Sequence, residues 1–222
     1  MTLWTPPARR RAPSGPTADG PPDSARTPLG GPEGNARLTG ATAAVLLVLL
    51  AAEGLTVLRV GPLLTPHVVV GMVLVPFVVV KIGSTGWRMA RYYLGDPAYR
   101  RRGAPPIVLR LLGPVVVLLT VLLFGSGIAL LLVPHSLRPG TMFVHKAGFV
   151  LWFGAMTIHV LGHALETSRL APADLMARTR SQVRGAGARM WVQAACLVTG
   201  ILLAVAMAPT VGPWLSGGGV GG

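Results

Sequence analysis

The sequence predicts an all-α fold, an integral membrane helix bundle of about five transmembrane helices. Three observations carry the bundle. Five apolar runs are long enough for the roughly 20 helical residues that cross a bilayer. Hydrophobic residues make up 51% of the 222-residue chain and charged residues only 12%, against roughly 25% charged in soluble domains. Sixteen of the eighteen arginines precede the first run or lie in alternate connections, the asymmetry expected when positive charge stays on the cytoplasmic side.

Residues 1–40 hold eight prolines, six glycines and no apolar run. They bury too little surface to offset chain entropy and are expected to form a disordered cytoplasmic tail. Arg9, Arg10 and Arg11 resemble the start of a twin-arginine signal. Pro13 and Gly15 follow instead of an apolar stretch, so no cleaved signal peptide is expected. The bundle is expected over residues 41–209. Its spans run from about Ala41 to Val60, Thr65 to Trp87, Leu111 to Val133, Thr141 to Leu165 and Met190 to Ala208. Pro209 stops the last. Pro76 falls inside the second and predicts a kink. Tyr92 and Tyr93 suit an interfacial belt, and Asp96-Pro97 reads as a turn. Residues 210–222 form a Gly-rich C-terminal tail, of which Ser216 to Gly222 is expected to fray.

The arginine asymmetry places the N-terminus in the cytoplasm and the C-terminus outside, in a multi-pass plasma-membrane protein. Arg outnumbers Lys by 18 to 2, a bias that points to a GC-rich bacterial genome. The formal charge of +13 raises nucleic acid as a partner. The basic residues sit between apolar runs, so the lipid bilayer is the expected partner and nucleic acid is not. The single Cys196 excludes an internal disulfide and reads as a small core hydrophobe.

Ionisable groups inside a bilayer are costly, so each needs an account. His67 and Lys81 are 14 residues apart on the second span, and His145 and His159 are 14 apart on the fourth. At 3.6 residues per turn this spacing returns a side chain to within ~40° of its starting face, roughly 21 Å along the axis. Both spans run from outside to inside. His67 and His145 therefore share the outer depth, and Lys81 and His159 the inner one. Facing side chains on bundle helices are how axial haem ligands are supplied, and neutral imidazole suits iron.

On these residues the chain resembles the b-type di-haem membrane cytochromes. These include the cytochrome b subunits of hydrogenases and formate dehydrogenases, the cytochrome b561 proteins and the ferric-reductase-like proteins. The resemblance covers roughly Thr65 to Leu165. The stretches from Lys81 to Gly103 and from His145 to His163 look like an actinobacterial branch. The resemblance implies a haem-binding four-helix core with haem b as cofactor, and carries over to His67, His145 and His159. It fails at Lys81, where a fourth histidine is expected. A lysine must lose its proton before it can bind iron. Either His67 and His145 hold a single outer haem, which is the preferred reading, or a second, inner haem has an unusual ligand. His163, 18 residues after His145, shares its face and lies one turn from His159. It could replace His159, bond a propionate, or be an interfacial histidine.

Other polar residues have plainer readings. His135 is expected in a solvated loop. Glu53 and Lys146 are expected to pair or to reach the outer surface, with proton movement by Glu53 near the outer haem as the sharper alternative. Arg88 and Arg91 could bind propionates but are already explained by the charge asymmetry. Gly125, Gly127, Gly148 and Gly154 read as close-packing positions or room for a porphyrin. No Walker loop, Gly-x-Ser-x-Gly or His-Glu-x-x-His occurs. Two functions follow. One is an electron-transfer subunit of an oxidoreductase, working with a quinone and an extracytoplasmic redox partner protein. The other is a haem-free transporter component or assembly factor whose histidines and Lys81 form a proton or metal path.

Overall fold

In the computed structural model, which describes residues 28–101, 103, 107–174 and 176–216, the chain is an all-α bundle. Five helices are long and apolar enough to cross a membrane. The long helices are α1 (Gly31–Val57), α2 (Leu64–Tyr93), α4 (Ile107–Leu132), α5 (Arg138–Leu170) and α7 (Ala186–Met207). Short helices α3 (Pro97–Arg100), α6 (Ala177–Arg180) and α8 (Gly212–Ser216) occupy connections and the C-terminal end. Arginines 9–11, residue 102 and the Gly-rich stretch 217–222 lie outside the described residues.

Four helices form a ring. Helix α1 packs on α2 and on α5, α4 packs on α5, and α4 also touches α2. Helices α2 and α5 are thus diagonal partners across the ring. Helix α7 packs outside it, mainly against α2. Asn35 near the start of α1 donates to the Ser84 carbonyl late in α2 at 3.0 Å. Thr56 at the other end of α1 meets His67 early in α2 at 2.9 Å. Helices α1 and α2 are therefore antiparallel. Arg37 of α1 reaches Asp174, beyond the end of α5, so α5 runs alongside α2 in the same direction, as the span order predicts.

Helix α1 begins ten residues before the expected start of the first span at Ala41. Hydropathy starts the span near position 41, but polar contacts hold the turns before it. Gly30 takes φ 86°, which a side chain resists, and Pro32 fits the first turn because its missing N–H leaves no orphan donor. Glu33 and Arg37 pair one turn apart at 3.6 Å. Arg189 binds the Leu29 carbonyl at 2.9 Å. The C-terminal tail is likewise helical at Gly212–Ser216, where Arg138 lies 4.3 Å over the Trp214 ring. Helix α2 continues through Pro76 to Tyr93, six residues past the expected end. The Asp96-Pro97 turn opens α3, with the Asp96 side chain accepting from the Ala98 N–H at 2.9 Å.

The core lies along the seam of α1, α2 and α7, where Leu46, Val73, Leu74, Phe77, Cys196 and Ala204 are buried together. Lipid tails are as apolar as these side chains, so close backbone approach and internal hydrogen bonds hold such a seam. A Cβ added at Gly200 would stand 2.8 Å from the Val73 Cα, which puts α7 almost backbone-on-backbone with α2. Gln193 of α7 donates to Thr42 of α1 at 2.7 Å. On the other side of the ring, Trp152 of α5 donates to Thr120 of α4 at 2.9 Å.

Candidate functional site

Two histidines meet across the ring. His67 sits in the first turn of α2 and His145 two turns into α5, and their ring centroids are 6.4 Å apart with planes at 82°. Both are partly buried. The backbones of α2 and α5 do not pack closely on one another, so the two side chains span the space between diagonal helices. Gly127 of α4 makes room for one of them: a Cβ there would lie 3.0 Å from Cε1 of His145. Of the other glycines singled out, Gly148 packs ordinarily against Leu122, and Gly125 and Gly154 adjoin open space.

The partners of each ring fix its tautomer. Nδ1 of His67 lies 2.9 Å from Oγ1 of Thr56 and 3.0 Å from Oε1 of Glu53. Thr56 donates its only hydroxyl proton to the Glu53 carbonyl, 2.6 Å away and one turn back on α1. Its oxygen can then only accept. That assigns a proton to Nδ1 of His67 and leaves Nε2 of the neutral ring with its lone pair.

His145 is held by the same device. Its Nδ1 lies 3.2 Å from the Leu123 carbonyl and 3.1 Å from Oγ of Ser126. Ser126 donates to that same Leu123 carbonyl at 3.0 Å. Again Nδ1 must be the donor and Nε2 the bare nitrogen. Neither Nε2 has a hydrogen-bond partner among the described residues. Two opposed imidazoles, each with Nδ1–H engaged and Nε2 available, are the form in which histidine binds a metal centre.

The inner residues are arranged differently. Lys81 turns to α1, where Nζ donates to the Thr39 carbonyl at 3.2 Å. Thr39 and Ser84 complete that corner, hydroxyl to hydroxyl at 2.9 Å. His159 and His163 lie against each other on one face of α5, ring centroids 4.9 Å apart. Nδ1 of His159 is buried without a hydrogen-bond partner among the described residues. Lys81 is within electrostatic range of His159, yet its ammonium is committed to a backbone carbonyl.

The expected Glu53–Lys146 pair is replaced. Glu53 turns to His67, and Lys146 is exposed with no ion pair among the described residues. Helix α1 brings Glu53 toward α2, whereas Lys146 projects from the outer surface of α5. Arg91 likewise has a local role: it pairs with Asp96 at 2.6 Å and lies 5.5 Å over the Trp87 ring.

Two arginines counted as flanking charge are buried structural groups. Arg189 at the start of α7 is 2% exposed and forms a two-pronged pair with Asp174. Arg37 of α1, 5% exposed, joins Asp174 at 3.4 Å and the Thr179 carbonyl at 2.7 Å. Burial alone pushes the Asp174 carboxyl up. The guanidiniums of Arg189 and Arg37 outweigh that and hold it below the ordinary carboxylate range. The network joins α1, the segment after α5 and α7, at the end of the bundle opposite the His67–His145 pair.

Among the described residues no group of three or more His, Cys, Asp or Glu side chains gathers as a metal site. Comparison with protein-family models, curated proteins and solved structures finds no match to this chain.

Proposed function

We propose that the protein is a b-type cytochrome-like membrane electron-transfer subunit that holds one haem b between His67 and His145. One observation carries the reading: opposed imidazoles on diagonal helices, each fixed in the Nδ1–H tautomer with Nε2 open. The spacing fits the group. The 6.4 Å between the ring centroids leaves room for a metal that both imidazoles would bind at about 2 Å.

When bound, haem supplies one-electron chemistry, and the protein supplies ligands, orientation and electrostatics. His67 and His145 hold the iron. Thr56, Glu53, Ser126 and the Leu123 carbonyl orient the two rings. The donation of Lys81 to the Thr39 carbonyl favours one haem over two. With the N-terminus cytoplasmic, the pair lies in the outer half of a bacterial plasma membrane. Electrons then pass between a quinone and an extracytoplasmic redox partner protein. The resemblance to the di-haem cytochromes points to a molybdenum-dependent oxidoreductase as that partner.

The test is the reduced-minus-oxidised absorption spectrum of the purified full-length protein. The expected result is a b-type band at one haem per chain, abolished in both His67→Ala and His145→Ala. A haem-free transporter component or assembly factor gives no band in any of the three. A band that survives both substitutions also overturns the proposal.

A further inference from the structure

The two histidines share a hydroxyl partner but differ in the second one. His145 faces a neutral backbone carbonyl at 3.2 Å, and His67 faces a carboxylate at 3.0 Å. Resting on the haem reading above, we infer that Glu53 is a positioning residue that makes His67 the stronger electron donor of the pair and sets the haem potential low.

The physical argument begins with the cost of Glu53. Its side chain is 16% exposed, within a membrane-spanning helix, and Oε2 is buried without a hydrogen-bond partner among the described residues. A carboxylate there is expensive. Thr56 alone already fixes the tautomer of His67, as Ser126 does for His145, so Glu53 is not needed for that purpose. What it adds is negative charge on the far side of the ring. An acceptor of this kind draws the Nδ1 proton toward itself and raises the basicity of Nε2. A more basic axial nitrogen, with a negative charge behind it, stabilises ferric over ferrous iron in a low-dielectric site. The facing helix packs on Glu53 in ordinary contact: a Cβ at Gly71, one turn beyond His67 on α2, would stand 3.5 Å from Oε1 of Glu53.

The experiment is a redox titration of full-length Glu53→Gln, followed by the α-band and by the low-spin ferric electron paramagnetic resonance signal. Glutamine is nearly isosteric and still accepts from Nδ1, so haem content should match the parent. The oxidation equilibrium should move about tenfold toward the ferrous form, about 59 mV upward for one electron. Glu53→Asp, which keeps the charge, should stay closer to the parent than Glu53→Gln does. Ser126→Ala, a neutral change at the other ligand, should shift the potential less than Glu53→Gln. Normal haem content with an unmoved potential in Glu53→Gln overturns this inference and leaves the haem proposal standing. Equal shifts in Glu53→Asp and Glu53→Gln also overturn it, since charge would then not be the cause. A parent protein without haem fails the underlying reading instead.

Discussion

Lys81 shows how one side chain separates two accounts of the same sequence. Its register, 14 residues after His67, is the one where the resemblance to di-haem cytochromes expects a fourth haem ligand. Its Nζ instead donates to the Thr39 carbonyl at 3.2 Å. An ammonium that donates to a backbone carbonyl has no lone pair for iron, and neutralising it requires a deeply desolvated site. Lys81→Met should therefore leave the haem-to-protein ratio of purified protein at one. A ratio of two in the parent that falls to one in Lys81→Met would assign Lys81 to an inner haem. The histidines at this depth were legible as candidates because ionisable groups stand out in apolar runs. Their partners were not legible. Nothing in the order of residues says that Thr56 and Ser126 lend their protons to the carbonyls one turn back and so become acceptors for the rings.

At the scale of the element, the apolar runs fixed the existence of all five long helices but misplaced several ends. Hydropathy sees where the bilayer interior stops, and helices continue past that point whenever polar contacts hold them. Helix α1 extends back to Gly31 because Asn35 finds a partner on α2, the Leu29 carbonyl one on α7, and Arg37 partners in the segment between α5 and α7. The seam of α2 and α7 depends on a single small residue. At Gly200 an added Cβ would stand 2.8 Å from the Val73 Cα and 2.9 Å from its carbonyl oxygen, both rigid backbone atoms. Gly200→Leu should force α7 away from α2 and open the buried cluster around Cys196. Destabilisation of at least 1–3 kcal/mol is expected from overpacking of this kind, roughly the cost seen in tight cores. The drop in thermal midpoint in detergent, with Gly187→Leu as a control in open space, measures it. Gly200 passed unnoticed in the sequence because small residues are common in such spans and only the crossing point shows which one matters.

For the whole molecule, the Arg37–Asp174–Arg189 network fastens α1 and α7 to the segment after α5 at the end opposite the histidine pair. Asp174→Asn leaves two buried guanidiniums without their counter-charge. Breaking one partner of a buried pair costs about 3–5 kcal/mol, so the variant should unfold at markedly lower temperature. The same carboxyl gives a pH dependence. Its pKa in the folded state is depressed, so its contribution is present above the ordinary carboxylate value of about 4. That contribution is lost as pH falls through the lower folded value. Thermal midpoints of the parent should fall below about pH 4, where carboxylates begin to protonate, and those of Asp174→Asn should change less over the same window.

The sequence by itself determined that this chain is an all-α membrane bundle, which runs form its helices, and which ionisable residues need an account. Those properties follow from local composition and helical period, which a single chain carries along its length. The alternation of five spans also ordered the helices so that α2 and α5 run the same way. Only the tertiary structure decided who meets whom. It made α2 and α5 diagonal rather than adjacent, turned Glu53 to His67 and away from Lys146, tied Lys81 to Thr39, and buried Arg37 and Arg189 around Asp174. Lateral packing of apolar helices in lipid leaves little trace in hydropathy, since every face is apolar. The choice of neighbours rests on sparse hydrogen bonds and small residues, which act only once the helices are side by side.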